Sequence, residues 1–277
     1  MNPVNNCKNC GRPFTGNFCS TCGEKLYTEK DRSVVHLLKE GLHFISHFDG
    51  TFLTTLKTVH FKPGKLSVDY CNGIRKKYFK PLSFFLMLVI IYLLFPIYQG
   101  LNMGLYSHMK HPLYGKYATA EVTKLIALKG VSFPALADIF HRKGEQASKF
   151  LLFILIPVMS GFSMLGIFKK RRPYFDHLIF CTEALSVLIL WGFLIFPLFV
   201  LGSSYFLPPS FYDTEIYTGL LLGLGYGIFI SIAAYRFFGF KKPYSIVYSL
   251  LFTLILLNFI QFIYKFILFI IVIKLVH

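Results

Sequence analysis

From Pro81 onward this chain is dominated by apolar runs long enough to cross a lipid bilayer, separated by short clusters of Lys and Arg. That pattern limits the fold more than any other feature. A bilayer core holds no water to satisfy stray backbone groups, so an apolar run of about 20 residues placed there must be helical. Five stretches qualify: 81–98, 150–168, 178–201, 216–235 and 244–273. The composition agrees, with 55% hydrophobic and only 15% charged residues, where a soluble domain carries about 25% charged residues.

The basic clusters set an orientation. Arg75, Lys76, Lys77 and Lys80 precede the first stretch, Lys169, Lys170, Arg171 and Arg172 follow the second, and Arg236, Lys241 and Lys242 separate the fourth from the fifth. The connection between the third and fourth, 202–215, has no Lys or Arg. Positive residues mark the cytoplasmic side. The pattern predicts a multi-pass protein of the cytoplasmic (inner) membrane, N-terminus inside, C-terminus outside, with 99–149 as a long external loop. The first 33 residues are polar, and no signal peptide is expected there. The net charge of +16 then points to the anionic lipids of the bilayer rather than to nucleic acid.

The front of the chain carries a different chemistry. Cys7, Cys10, Cys19 and Cys22 read C-x2-C-x8-C-x2-C, and each pair is followed by glycine (Gly11, Gly23). Two thiolates three residues apart grip one ion from a tight turn, and the glycine supplies the positive φ such a turn tends to need. Two such turns make a tetrahedral S4 site, which suits zinc. With no open coordination position, the expectation is one structural Zn2+ per chain, largely responsible for folding the ribbon. Two disulfides would suit an oxidising compartment, against the cytosolic placement. Cys71 and Cys181 are solitary and read as free, buried or interfacial thiols.

The expected fold is therefore an all-α integral membrane helical bundle of about five transmembrane helices with a small N-terminal zinc ribbon. Its parts are the ribbon at 1–27, cytoplasmic amphipathic or interfacial helices and a basic linker at 28–80, and the transmembrane domain at 81–277. Within the middle part, 33–48 has helical periodicity. His36, Glu40, His43 and His47 fall on one face and Val34, Leu37, Leu38, Leu42, Ile45 and Phe48 on the other. The polar stripe suits metal binding or acid–base catalysis, with His60 or Asp49 as further contributors; it equally suits an interfacial helix whose histidines face headgroups. A short helix is expected over 51–61, ending before Pro63-Gly64.

The run from Lys62 to Pro81 mixes turn formers, bases and tyrosines. Arg75, Lys76 and Lys77 are candidate lipid or phosphate ligands, Arg75 as a bidentate fork and the lysines as point charges. Topology determination and interfacial anchoring would use the same charges. The Cys modules, Pro63-Gly64-Lys65, Tyr70, Gly73-x-Arg75-x-x-Tyr78-x-x-Pro81 and the apolar tail resemble a bacterial family of membrane proteins known as domain of unknown function 3667 (DUF3667). The resemblance implies a zinc ribbon joined to a helical membrane domain, and no activity. The familiar Gly-Lys-Arg of that family stands here as Gly73-Ile74-Arg75.

Polar groups inside the spans are costly and mark contacts. Glu183 lies in the third span, and Asn258, Gln261 and Lys265 share one face of the fifth. A Glu183–Lys265 pair requires matching depth, which this topology disfavours. Gly219, Gly223 and Gly227 let a helix approach closely, within the chain or in a homo-oligomer. Three functions remain open. The first is an accessory, scaffold or sensing protein that recruits a protein partner through the ribbon. The second is a membrane enzyme or lipid-handling protein with its site at the cytoplasmic interface. The third is a small transporter or channel.

Overall fold

The computed structural model describes residues 4–26, 28, 33, 50–94, 102–166, 172–203 and 215–276. The histidine stripe of 33–48 (His36, Glu40, His43, His47) and Asp49 lie outside them. The chain forms two compact units, one from 1–95 with 156–253 and the other from 96–155 with 254–277.

The first unit begins with the ribbon. Strands β1 (Val4–Asn6) and β2 (Pro13–Thr15) pair antiparallel, with Asn5 opposite Phe14. A bridge between Phe18 and Lys25 closes the second half. The two cysteine turns are built alike: Gly11 N donates to Cys7 O at 2.9 Å and Gly23 N to Cys19 O at 2.7 Å. Both glycines hold positive φ, 75° and 68°, as the repeated Cys-x2-Cys-Gly pattern predicts. The core is Cys7, Phe14 and Cys19 with Cys22 and Leu26 packed against it. So few apolar groups bury too little surface to hold a fold alone.

Helix α1 (Gly50–Phe61) ends ahead of Pro63, as expected, and α2 (Lys65–Cys71) follows. Gly73, at φ 91°, closes α2 with its N–H on Tyr70 O, while Ile74 N reaches Asp69 O at 2.9 Å; this is the left-handed glycine stop common after helices. Helix α3 (Pro81–Leu94) starts on a proline, whose fixed φ and missing N–H suit a first helical position.

In the second unit, α4 (Leu105–Met109) and α5 (Gly115–Lys129) precede α6 (Phe133–Leu165). The stretch read as a loop, 99–149, is thus largely helical. Helix α5 buries one narrow face, Gly115, Ala118, Val122 and Leu125 at helical spacing, so no long apolar run marks it in the sequence. Its side chains meet the C-terminal part of the chain: Lys129 Nζ donates to Val276 O, and Tyr117 packs edge-on against Phe269.

Helix α7 (Tyr174–Ile189) is the centre of the first unit and packs against α1, α2, α3 and α9 (Glu215–Phe238). Most of its side chains are buried. It runs through a π-helical turn at Leu190–Ile195 into α8 (Phe196–Ser203). Helix α10 (Lys242–Asn258), a π-helical turn (Phe259–Tyr264) and α11 (Lys265–Val276) complete the chain.

Among the described residues, two continuous helices, Tyr174–Phe199 and Lys242–Val276, are long and apolar enough to cross a membrane, and the pair Phe133–Ser148 with Phe150–Leu165 makes a third if taken as one span. Pro81–Tyr92 and Leu222–Phe238 are apolar but shorter. Ile246, Val247, Leu250, Leu251 and Leu254 on α10 are each more than half exposed. An apolar face of that kind belongs against lipid or a partner rather than water.

Candidate metal centre and the loop it rests on

The four cysteine sulfurs all lie within 4.8 Å of one another. Cys7 and Cys22 are 3.5 Å apart, and Cys10 and Cys19 3.7 Å. A tetrahedral ion with bonds of about 2.3 Å places its sulfurs about 3.8 Å apart, so the spacing fits one thiophilic ion. The turns prepare the charge it needs. Cys19 is pulled down to about 6, chiefly by a hydrogen bond from the Cys22 backbone. At Cys10 the Arg12 amide also pulls down, but desolvation and the other three thiols prevail and push it up to about 11. Adjacent thiolates repel; a dication removes that conflict. Cys71 and Cys181 are buried and free of disulfides.

The ribbon does not hang free. Glu24, next to the second cysteine turn, is buried, and its Oε2 accepts the backbone N–H groups of Arg75 at 3.2 Å and Lys76 at 2.9 Å. Lys76 Nζ lies against Gly23, where an added Cβ would come within 2.4 Å of it. The Arg75 guanidinium covers the Tyr70 ring at 4.6 Å and faces Phe175 at 5.7 Å, while its Nε bonds Tyr70 O at 3.4 Å. Arg75 thus holds the loop to α2 and α7, and the side chains of Lys76 and Lys77 are exposed.

The residues ahead of this loop are fixed from below. Glu183, fully inside α7, accepts from Gly64 N at 2.9 Å, Ser67 N at 2.8 Å and the Ser67 hydroxyl. It caps α2 from another helix, satisfying amides that a helix start leaves unpaired. Gly64, at φ 74°, sits on α9: a Cβ there would meet Ala233 O at 2.7 Å. Arg236 of α9 donates to Pro63 O. Asp69 takes Lys65 at 2.7 Å and the Tyr78 hydroxyl at 2.6 Å, and Thr55 of α1 accepts Phe79 N at 2.8 Å. Burial, then the Asp69 carboxylate, hold the Tyr78 phenol well above its usual range.

Other candidates find different partners. Lys265 bonds Gln261 Oε1 at 2.7 Å, one turn back along the same stretch of helix. Asn258 likewise bonds Leu254 O at 2.8 Å. His60 accepts the Trp191 indole N–H at 3.0 Å, so its Nδ1 is committed. No described atom lies within 4 Å of a Cβ built on Gly219, Gly223 or Gly227; the described chain does not pack on that stripe.

Sequence reasoning passed over Glu24, Ser67 and Thr55. Their roles depend on backbone amides distant in sequence, and no spacing rule encodes that. It also passed over a buried pair in the second unit. His108 Nδ1 meets the Tyr114 hydroxyl at 2.8 Å, and His111 stacks on the Tyr114 ring at 4.0 Å. The Nε2 atom of each is buried without a hydrogen-bond partner. Burial, then the charges of Lys265 and His111, push His108 down to about 4.

These features define a class: a helical, membrane-type protein carrying a metal-competent four-cysteine ribbon on the loop ahead of its apolar helices. Residues 49–93 match the model of the family described as protein of unknown function (DUF3667). That match spans the capped α2, the glycine turns, the Arg75 loop and α3. No curated protein and no solved structure matches the chain.

Proposed function

We propose that this is an integral protein of the cytoplasmic membrane whose cytosolic zinc ribbon presents a recruiting or sensing surface to a protein partner. In this reading the five apolar stretches are spans, the ribbon holds one Zn2+ through Cys7, Cys10, Cys19 and Cys22, and the C-terminus is external. The observation that carries it is the Glu24 contact. The ribbon rests on the loop that enters the first apolar helix, so a partner bound there is held at the membrane surface. The open Gly219–Gly223–Gly227 stripe supports a homo-oligomer. Cross-linking in cells from a photoreactive residue at exposed Lys8 tests the reading. A defined adduct in the wild type, absent from a Cys7→Ser/Cys10→Ser variant, is expected. The same adduct pattern from both proteins overturns it.

A second reading rests on the same loop. Arg75, Lys76 and Lys77 form a phosphate-binding surface for anionic headgroups, which makes the protein lipid-handling. Loss of binding to phosphatidylglycerol vesicles in a Lys76→Gln/Lys77→Gln variant supports it; unchanged binding overturns it. The catalytic candidates His36, Glu40, His43 and His47 belong to this reading as an interfacial site, and the polar face of Asn258, Gln261 and Lys265 to a transporter.

A further inference from the structure

The Glu24 carboxylate is a buried anion whose described hydrogen bonds come from backbone rather than from a cationic side chain. Two successive amides, those of Arg75 and Lys76, converge on its Oε2 at 3.2 and 2.9 Å. Consecutive N–H groups aimed at one point form a cradle for an anionic oxygen. The backbone reaches this shape through Gly73 at φ 91°. The surroundings are basic: Arg75, Lys76, Lys77 and Lys80 stand within six residues of chain, while Glu24 brings a single carboxylate. A phosphate oxygen and a carboxylate oxygen are equivalent acceptors for such a pair, and phosphate carries further oxygens for neighbouring lysines.

We propose that the Arg75–Lys76 amide pair is a phosphate-ester site that Glu24 occupies in cis, so that the docked ribbon and an anionic phosphate compete for it. The inference rests on the phosphate-binding reading of this loop and adds its regulation. The metal enters through the backbone. Cys19 N donates to Glu24 O at 2.8 Å, so the cysteine turn that the ion organises is what presents Glu24 to the loop. With the ion bound and anionic phosphate scarce, the ribbon stays docked. When phosphate takes the amides, the ribbon lifts and exposes the surface it had covered.

Hydrogen exchange read by mass spectrometry on the full chain in nanodiscs tests this directly, because it reports on the two amides themselves. In phosphatidylcholine discs, Glu24→Ala speeds exchange at Arg75 and Lys76 by about tenfold or more, the loss of a charge-assisted acceptor. Discs containing phosphatidylglycerol, or added inorganic phosphate, restore protection in the variant. In the wild type they raise exchange at 14–26 as the ribbon leaves. Recovery with lipid alone assigns the site to a headgroup, and recovery with inorganic phosphate alone to a soluble ester; either supports the proposal. Amides that stay unprotected under both conditions, or stay protected in Glu24→Ala without any anion, overturn it. If Glu24→Ala loses its bound metal, Glu24→Leu, which keeps most of the side-chain volume but has no acceptor, is measured instead under the same criteria. Should Lys76→Gln/Lys77→Gln lose vesicle binding while the Glu24 variants show no recovery, the phosphate-binding reading stands and cis-occupancy falls.

Discussion

The carboxylate of Glu183 accepts the backbone N–H of Gly64 at 2.9 Å, joining residues 119 positions apart. Through this contact the central apolar helix α7 sets where α2 begins, and so where the loop bearing Arg75 and Lys76 stands. Glu183→Ala leaves the amides of Gly64 and Ser67 buried and unpaired, at a cost of about 3 kcal/mol or more. The expected outcome is a clear drop in the melting temperature of detergent-purified protein, with Glu183→Gln intermediate, because an amide retains one acceptor and turns a donor toward the remaining donors. An unchanged melting temperature for Glu183→Ala refutes the capping role.

Gly64 answers to two constraints at once. Its φ of 74° disfavours any side chain, and a Cβ would press on the Ala233 backbone at 2.7 Å. Gly64→Ala is therefore expected to cost about 2 kcal/mol or more and to lower the yield of folded protein. Ala233→Gly does not relieve it, since the obstructing atoms are backbone. Equal stability of Gly64→Ala and wild type, by thermal melting, counts against the close approach.

The ribbon is expected to depend on its ion. Elemental analysis should give one metal ion per chain, lost in Cys7→Ser/Cys10→Ser. Chelation should open the ribbon to trypsin at Lys8 and Arg12, because metal binding contributes most of the folding free energy of so small a core. A chelated ribbon that resists trypsin as the loaded one does would show that Phe14 and Leu26 suffice.

Acid should weaken the second unit. His108 is held down to about 4 against an ordinary 6.5, so the folded protein excludes a proton that the unfolded chain accepts. Stability is full above the unfolded value and falls as pH drops from 6.5 toward 4, by up to about 3 kcal/mol, levelling off below that. His111, also shifted downward by burial, acts in the same direction. His108→Phe should flatten the pH dependence of the melting temperature across this window. A slope identical to wild type would place the titration elsewhere.

Much of this architecture was legible in the residues. The Cys-x2-Cys-Gly repeat specified both turns and their positive φ, because the chemistry of four thiolates on one ion admits few geometries. The stop at Pro63 was equally plain, since proline excludes helix from the residue before it. The helices of 105–129 and the polar first half of α6 were hidden by their mixed polarity, and Glu183 stood out in the sequence without its partner. Nothing in local sequence states that a carboxylate at 183 will find amides at 64 and 67.

The sequence by itself determined the short-range matters: a four-cysteine cluster fit for a metal, apolar helices of membrane-crossing composition, and the turns between them. Each follows from covalent geometry or from the free energy of moving a residue between water and an apolar phase, which neighbours along the chain suffice to define. Only the tertiary structure decided that Glu24 rests on the Arg75–Lys76 amides, that Gly64 meets Ala233, and that His108 is sealed from water. Such contacts depend on the packing of distant helices, where the competing arrangements differ by a few kcal/mol that no local pattern records.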